Sequence, residues 1–182
     1  MSNDHELDSL YELVGQDAQA WLEQAKKLKL SADVIRAELS EVLRLSPHVD
    51  IVRIKQLGYI ESFMMLTGLA FENLIKGIDI AQNPTRVTNR KLDTRGWSRG
   101  GHALSDYAQK AKLPPEQVDL LRRLEEYVVW VGRYAIPLNA DAYINSTKPV
   151  NLKTLRWTDF DTIDTLFDHL SAVLMAEWIK RQ

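Results

Sequence analysis

Residues 57–82 read LGYIESFMMLTGLAFENLIKGIDIAQ, a stretch that is apolar on almost every side of a helix. Together with the turns before it, this stretch predicts one long helix over about Val49 to Gln82, and Asn83-Pro84 then stops it. A helix that is hydrophobic all round is a buried one. We therefore place this helix at the centre of the fold.

Charged residues within the stretch separate a buried helix from a membrane span. Glu61, Glu72, Lys76 and Asp79 all fall inside it, and a lipid-facing segment rarely tolerates so many. The prediction is a buried helix and no contact with a membrane.

Helical patterns also cover most of the rest of the chain, without strand-like alternation bounded by turn signals. They are predicted at about residues 4–30, 31–46, 102–112, 115–136 and 158–181. Ser31 and Thr158 are the expected N-caps of the second and last of these helices. The fold class that follows is all-α, a helical bundle in one domain spanning residues 1–182.

The composition excludes several classes of function. The 182 residues are 45% hydrophobic and 26% charged, which is typical of a single globular domain, and the net charge of -2 implies no polyanionic partner for the whole molecule. No cysteine is present, and none of the four histidines has metal-site spacing, so no metal or other cofactor is predicted. The acidic start MSNDHELDSLYEL lacks the basic and apolar regions of a signal peptide, which predicts a cytoplasmic protein.

An acidic strip on the central helix is the first candidate site. Four residues share one face, with the other three within about 20° of Glu61 at 100° per residue: Glu61, Gly68, Glu72 and Asp79. Lys76 lies to the side, in the favourable i, i+4 position after Glu72. Either the strip is solvated with a local ion pair, or it pairs with an arginine of a neighbouring helix. Arg133 is the candidate partner, giving a polar core of Glu61, Glu72, Lys76 and Arg133.

A basic segment over Ala81–Gly101 is the second candidate site. Its five basic residues against one acid give a local charge of +4, which leaves -6 on the rest of the chain. Such a segment with one aromatic can grip phosphates and stack a base, although solvated surface loops have the same composition. The candidate nucleic-acid-binding residues are Arg86, Arg90, Lys91, Arg95, Trp97 and Arg99.

Two patterns in this segment resemble those of catalytic sites. Gly96–Gly100 matches the G-x-S-x-G of a nucleophile elbow, but no strand precedes it, and that turn works between a strand and a helix. Arg95 and His102 have the spacing of a family of helical ribonucleases, although the glycines between them argue against a shared helix. We expect the His102 imidazole to point to the backbone of its own helix start.

Three segments, taken together, resemble HEPN domains. LAFENLIKG at 69–77 is similar to their core helix A-x-E-x-x-L-K-A/G, and GHALSDYA at 101–108 to the start of their following helix. YVVWVGRYAIP at 127–137 resembles their helix end, in which arginine, tyrosine and proline follow one another. The resemblance covers about Val49 to Arg181 and implies an up-and-down bundle of four to five core helices over 48–182, with residues 1–47 as an extra N-terminal helical pair.

The same resemblance implies a biological setting. HEPN proteins act in prokaryotic defence, in toxin-antitoxin pairs and as partners of nucleotidyltransferases, and many are homodimers. Their ribonucleases have four to six residues between an arginine and a histidine, but Leu138, Asn139 and Ala140 stand at the corresponding positions after Arg133. The missing histidine favours a non-catalytic protein that binds RNA or a nucleotide.

Two alternatives stay open at this point. One is a protein-interaction module without nucleic-acid binding. The other is a metal-independent ribonuclease that uses His102 with Arg95 or Arg133.

Overall fold

The structure is a computed structural model that describes residues 2–46, 48–131, 133–134, 137, 140–141, 144 and 154–181. Its helices are α1 (Ser2–Gln16), α2 (Ala18–Val42), α3 (Asp50–Gln82), α4 (Leu104–Lys110), α5 (Pro115–Glu126) and α6 (Trp157–Ile179). A turn of π-helix, Tyr127–Val131, extends α5. The prediction of a mostly helical protein is confirmed. No helix of the described chain is both long and apolar enough to cross a membrane.

The central helix is where the sequence places it, and two long helices run along it. Gln56 of α3 donates to the carbonyl of Val42 at 3.0 Å, whereas a Cβ on Gly77 would lie 2.8 Å from Trp21. The beginning of α3 therefore meets the end of α2, so these helices are antiparallel. Because Leu22, Ala25 and Leu39 of α2 are buried in the same cluster as α3, α2 belongs to the core.

Helix α6 covers another side of α3 through aromatic pairs. The ring centroids of Phe63 and Phe160 are 5.5 Å apart, and those of Phe71 and Phe167 are 6.3 Å apart. Contacts advance along both helices in the same direction, so α3 and α6 are parallel. These rings and the leucines around them form the hydrophobic core.

The N-terminal helices differ from the prediction. A helix over residues 4–30 was expected, but the chain breaks after Gln16, and Asp17 caps α2 by accepting the N–H of Gln19 at 2.9 Å. Ser31, the expected cap of a second helix, lies inside α2 and donates its hydroxyl to the carbonyl of Lys27 at 3.0 Å. A serine whose hydroxyl is satisfied one turn back is compatible with a helix interior.

Short elements fill the segment between α3 and α4. A 3₁₀ turn at Pro84–Arg86 leads into a hairpin of β1 (Val87–Thr88) and β2 (Lys91–Leu92), and a second 3₁₀ turn spans Ser98–Gly101. The prediction of a chain without strands is therefore wrong, because the structure has one small hairpin. Asn89 and Arg90 form its tip with φ of 52° and 61°, a left-handed pair that twists with the strands.

Both predicted starts of the C-terminal helices can be compared with the structure. Pro115 opens α5 as expected, since its fixed φ suits the first turn. The N-cap of α6 is Arg156 rather than Thr158, and the Asp159 carboxylate accepts the Arg156 N–H at 2.6 Å. The loop predicted over Leu138–Trp157 lies largely outside the described residues.

Candidate functional site: a cleft beside the basic segment

A cleft of about 500 Å³ opens between the second half of α3, the basic segment and α4. Lys76, Arg86 and Lys110 bring positive charge to it, and Asp79 and Asp106 bring negative charge. Its large apolar side chains are aromatic or aliphatic: Trp97, Tyr107, Ile75, Ile78 and Val173. Burial, and secondarily the charge of Glu177, raise the pKa of Tyr107, so its hydroxyl stays protonated at neutral pH. A cleft of this size and mixed polarity suits a nucleotide-sized ligand.

Trp97 fixes the basic segment to the central helix. Its indole N–H donates to Asp79 Oδ2 at 2.7 Å, while Lys76 Nζ and Arg86 Cζ lie 5.3 and 5.5 Å from the ring centroid. Cations at this distance from an indole face are attracted to it. Trp97 was predicted to stack a base, but the structure engages its ring in these contacts and gives it an anchoring role.

Arg86 is also committed to the architecture. Its Nε forms an ion pair with Asp79, and Nη1 donates to the carbonyls of Asp93 at 3.1 Å and Arg95 at 2.8 Å. Those bonds close the segment into a loop around one guanidinium. Arg86 therefore contributes positive charge to the cleft wall, but its guanidinium group is held in place by these bonds.

The exposed cations of the segment lie on the hairpin and just after it. Arg90 and Lys91 are exposed at the hairpin, and Glu12 of α1 accepts the backbone N–H of Arg90 at 3.5 Å. Arg95 grips Asp93 with two bonds of 2.9 and 2.8 Å, which lower the pKa of Asp93 to about 2. An exposed pair of this kind is weak, so the arginine can exchange its carboxylate for a phosphate.

Arg99 is held by a buried carboxylate that sequence reasoning missed. Glu125 of α5 accepts from Arg99 Nη1 at 2.9 Å with one oxygen, and from the hydroxyl of Ser105 at 2.7 Å with the other. The side chain of Glu125 is 8% exposed and that of Arg99 is 62% exposed. No pattern in α5 marks Glu125, because its partners come from another segment.

Glu72 lies at the centre of the second polar cluster, as predicted, but with other partners. Its carboxylate is bonded to Lys76 Nζ at 2.5 Å and to His102 Nδ1 at 2.7 Å. The predicted pairing with Arg133 is wrong, because that residue is exposed and its guanidinium lies against the ring of Tyr134. The expectation that His102 points to its own backbone is also wrong.

The catalytic pairing of His102 with Arg95 or Arg133 is not formed. Arg95 is directed to Asp93, and Arg133 to Tyr134. His102 does not line the cleft, although its neighbours Gly101 and Ala103 do.

The acidic strip divides between two environments. Asp79 holds the basic segment through Trp97, and Glu72 holds His102, the residue that directly follows the segment. Gly68 of α3 packs against α5, and the absence of a side chain at this glycine leaves room for the carbonyl of Leu124. Glu61 is half-buried, and burial raises its pKa.

Among the residues that the structure describes, Arg123 is a buried arginine. Its two Nη atoms grip Asp159 at 2.6 and 2.7 Å, Nη1 also reaches the carbonyl of Thr154 at 2.6 Å, and Nε reaches Asp119 at 3.1 Å. Both Arg123 and Asp159 have side chains 5% exposed. Burial alone would lower the pKa of Arg123, but Asp159 and Asp119 raise it above the ordinary arginine value.

The described part of the chain holds no cluster of three or more histidine and acidic side chains arranged for a metal ion. Comparison with protein-family models, with curated proteins and with solved structures finds no match for this chain.

Proposed function

We propose that the protein binds RNA or a nucleotide and does not cleave it. The observation that carries this proposal is the cleft, which combines the volume of a nucleotide with three cations, two carboxylates and two aromatic rings. Its carboxylates can accept from the amino groups of a base, while Lys110 can reach a phosphate. The exposed cations of the hairpin, which belongs to the same basic segment, add positive charge for the backbone of a longer strand.

The arrangement of His102 supports binding rather than cleavage. Metal-independent cleavage of RNA needs one group to remove a proton and another to donate one, both at the reacting phosphate. Among the described residues, the hydrogen bond of the His102 side chain goes to Glu72, and His102 is not among the residues that line the cleft. An HEPN-like up-and-down bundle with an accessory role in prokaryotic defence or toxin-antitoxin systems is part of the same proposal.

Filling the cleft tests the proposal. Ala111 is exposed at its wall, and Ala111→Trp should weaken binding of adenosine monophosphate and of a single-stranded RNA by tenfold or more in equilibrium dialysis. Ala37→Trp, on an exposed face of α2 away from the cleft, is the matched control and should bind as the wild type does. Equal affinity in all three proteins, or shortening of the RNA by the wild type without metal, would overturn the proposal.

A second candidate, a protein-interaction module, is favoured by one feature of α1. Leu7, Leu10, Tyr11 and Val14 recur at helical spacing and are 45% to 62% exposed, alongside a shallow groove of about 400 Å³. An apolar stripe left on the surface often marks an interface, here with a second copy or another polypeptide. Sedimentation of the wild type against Leu10→Glu separates these cases, because a dimer through α1 would dissociate in the variant.

A further inference from the structure

The turn between Trp97 and α4 has an open, left-handed backbone. Arg99 has φ 50° and ψ 40°, Gly100 has φ 67° and ψ 19°, and Gly101 has φ 94°. Left-handed backbone at a residue other than glycine is uncommon and persists where surrounding contacts hold it. A Cβ built on Gly100 would meet no atom within 4 Å, so the space above this turn is empty.

A buried carboxylate holds the residue on each side of that opening. Glu125 takes one nitrogen of Arg99, and Glu72 takes Nδ1 of His102, with both carboxylate side chains 8% exposed. Within the described residues, Nε and Nη2 of Arg99 and Nε2 of His102 make no hydrogen bond. The two side chains are 62% and 39% exposed. In both side chains, one nitrogen is therefore held by a buried carboxylate, while at least one other nitrogen makes no hydrogen bond to the described residues.

The charge of this cluster depends on His102. Glu72 and Lys76 of α3, Arg99 of the turn itself and Glu125 of α5 sum to zero. Asp106 of α4 adds a further negative charge at the neighbouring cleft. If Nδ1 donates its proton to Glu72, a neutral imidazole offers only a lone pair at Nε2, which repels a phosphate oxygen. A protonated imidazole donates from both nitrogens and makes the four side chains and His102 together positive.

We propose that Arg99, Gly100 and His102 form a subsite for a phosphate, and that His102 takes up a proton when the phosphate binds. The subsite rests on the proposed function and adds to it the position of one phosphate next to the cleft. Arg99 Nη2 and His102 Nε2 donate to the phosphate oxygens, and the glycine lets the phosphate approach the backbone. Imidazole changes charge between about pH 5 and 8, so affinity rises as the pH falls through that range.

Inorganic phosphate is the first probe, because its binding can be measured whether or not the protein binds RNA. The C2–H resonance of His102, assigned with His102→Gln, is titrated by proton NMR with phosphate and with chloride at equal ionic strength. A tenfold preference for the protonated ring shifts the titration midpoint upward by about one pH unit at saturation. No upward shift at tens of millimolar phosphate would overturn the subsite.

RNA decamers with a 5′-phosphate and with a 5′-hydroxyl are the second probe. Tighter binding of the phosphorylated strand means that the subsite takes a terminal phosphate, and equal binding means that it takes a backbone phosphodiester. In either case the wild type should bind RNA about tenfold more tightly at pH 6 than at pH 8. The His102→Gln variant should show only a small change in affinity between the two pH values, and this change is subtracted from that of the wild type. Arg99→Lys keeps the charge and should weaken binding at both pH values while preserving the pH dependence.

The outcomes separate the two proposals. If RNA does not bind but phosphate shifts the His102 resonance, the proposed function fails and the subsite stands. If RNA binds with the same pH dependence in wild type and His102→Gln, the subsite is wrong and the proposed function stands.

Discussion

Replacing Arg123 should destabilise the protein more than replacing any other arginine of the described chain. Arg123→Ala removes four hydrogen bonds and leaves Asp159 as an unpaired carboxylate whose side chain is 5% exposed. Breaking a buried pair by removing one partner costs about 3–5 kcal/mol. For a domain of this size, that loss lowers the midpoint of thermal unfolding by about 6–20 °C. Differential scanning calorimetry and urea unfolding measure it.

Two further variants test the reasoning. Arg133→Ala should change the free energy of unfolding by less than about 0.5 kcal/mol, because Arg133 is exposed. Arg123→Met combined with Asp159→Asn should recover part of the loss, since no unpaired charge then remains buried while the cap of α6 is kept. The reasoning fails if Arg123→Ala is as stable as Arg133→Ala, or if the double variant is no more stable than Arg123→Ala.

The remaining predictions concern the turn, one tyrosine and Glu125. Gly101→Ala places a Cβ against the Lys76 side chain and 3.0 Å from the Trp97 ring at a φ of 94°, so it should cost about 1–3 kcal/mol in urea unfolding and more than Gly100→Ala, which meets open space. Burial raises the pKa of Tyr127 to about 12 from an ordinary 10. The unfolded chain thus ionises first, and stability is lost as the pH rises from 10 to 12, by up to about 3 kcal/mol. Tyr127→Phe should show less of this alkaline loss, and an unchanged alkaline transition would contradict the assignment. Glu125→Ala removes the acceptor at the start of α4, so hydrogen exchange at Ser105 should accelerate about tenfold or more, whereas unchanged protection would mean that Glu125 does not hold this turn.

Much of the helical framework could be predicted from side-chain periodicity. The apolar stretch within α3 and the proline that opens α5 act through local chemistry, so they can be read directly. The break at Asp17 could not, because the apolar pattern continues across it and the decision depends on packing. Gly15 lies against Val87, where a Cβ would approach to 2.6 Å, and that contact sets the direction of α1.

The site was predictable only in part, because its contacts cross long sequence distances. The face that carries Glu72 and Asp79 follows from helical geometry, and the structure places both acids against the basic segment. Their partners could not be assigned. Arg123 stands in a charged helix where its neighbours suggest a solvated surface, and only the position of Asp159, 36 residues later, reveals that it is buried.

The central claim, binding of RNA through the basic segment, is tested most directly by the salt dependence of that binding. Fluorescence anisotropy of a labelled single-stranded RNA is followed between 50 and 200 mM salt. Neutralising three phosphates gives a slope of log affinity against log salt of about -2. The slope should become shallower by about that amount in a variant with alanine at three exposed cations of the segment: Arg90, Lys91 and Arg95. It should persist in a control that loses the same charge elsewhere: Arg44, Arg53 and Lys55. We predict that only the first variant has a shallower slope than the wild type; no binding by wild type at 50 mM salt, or equal slopes in both variants, would contradict the account.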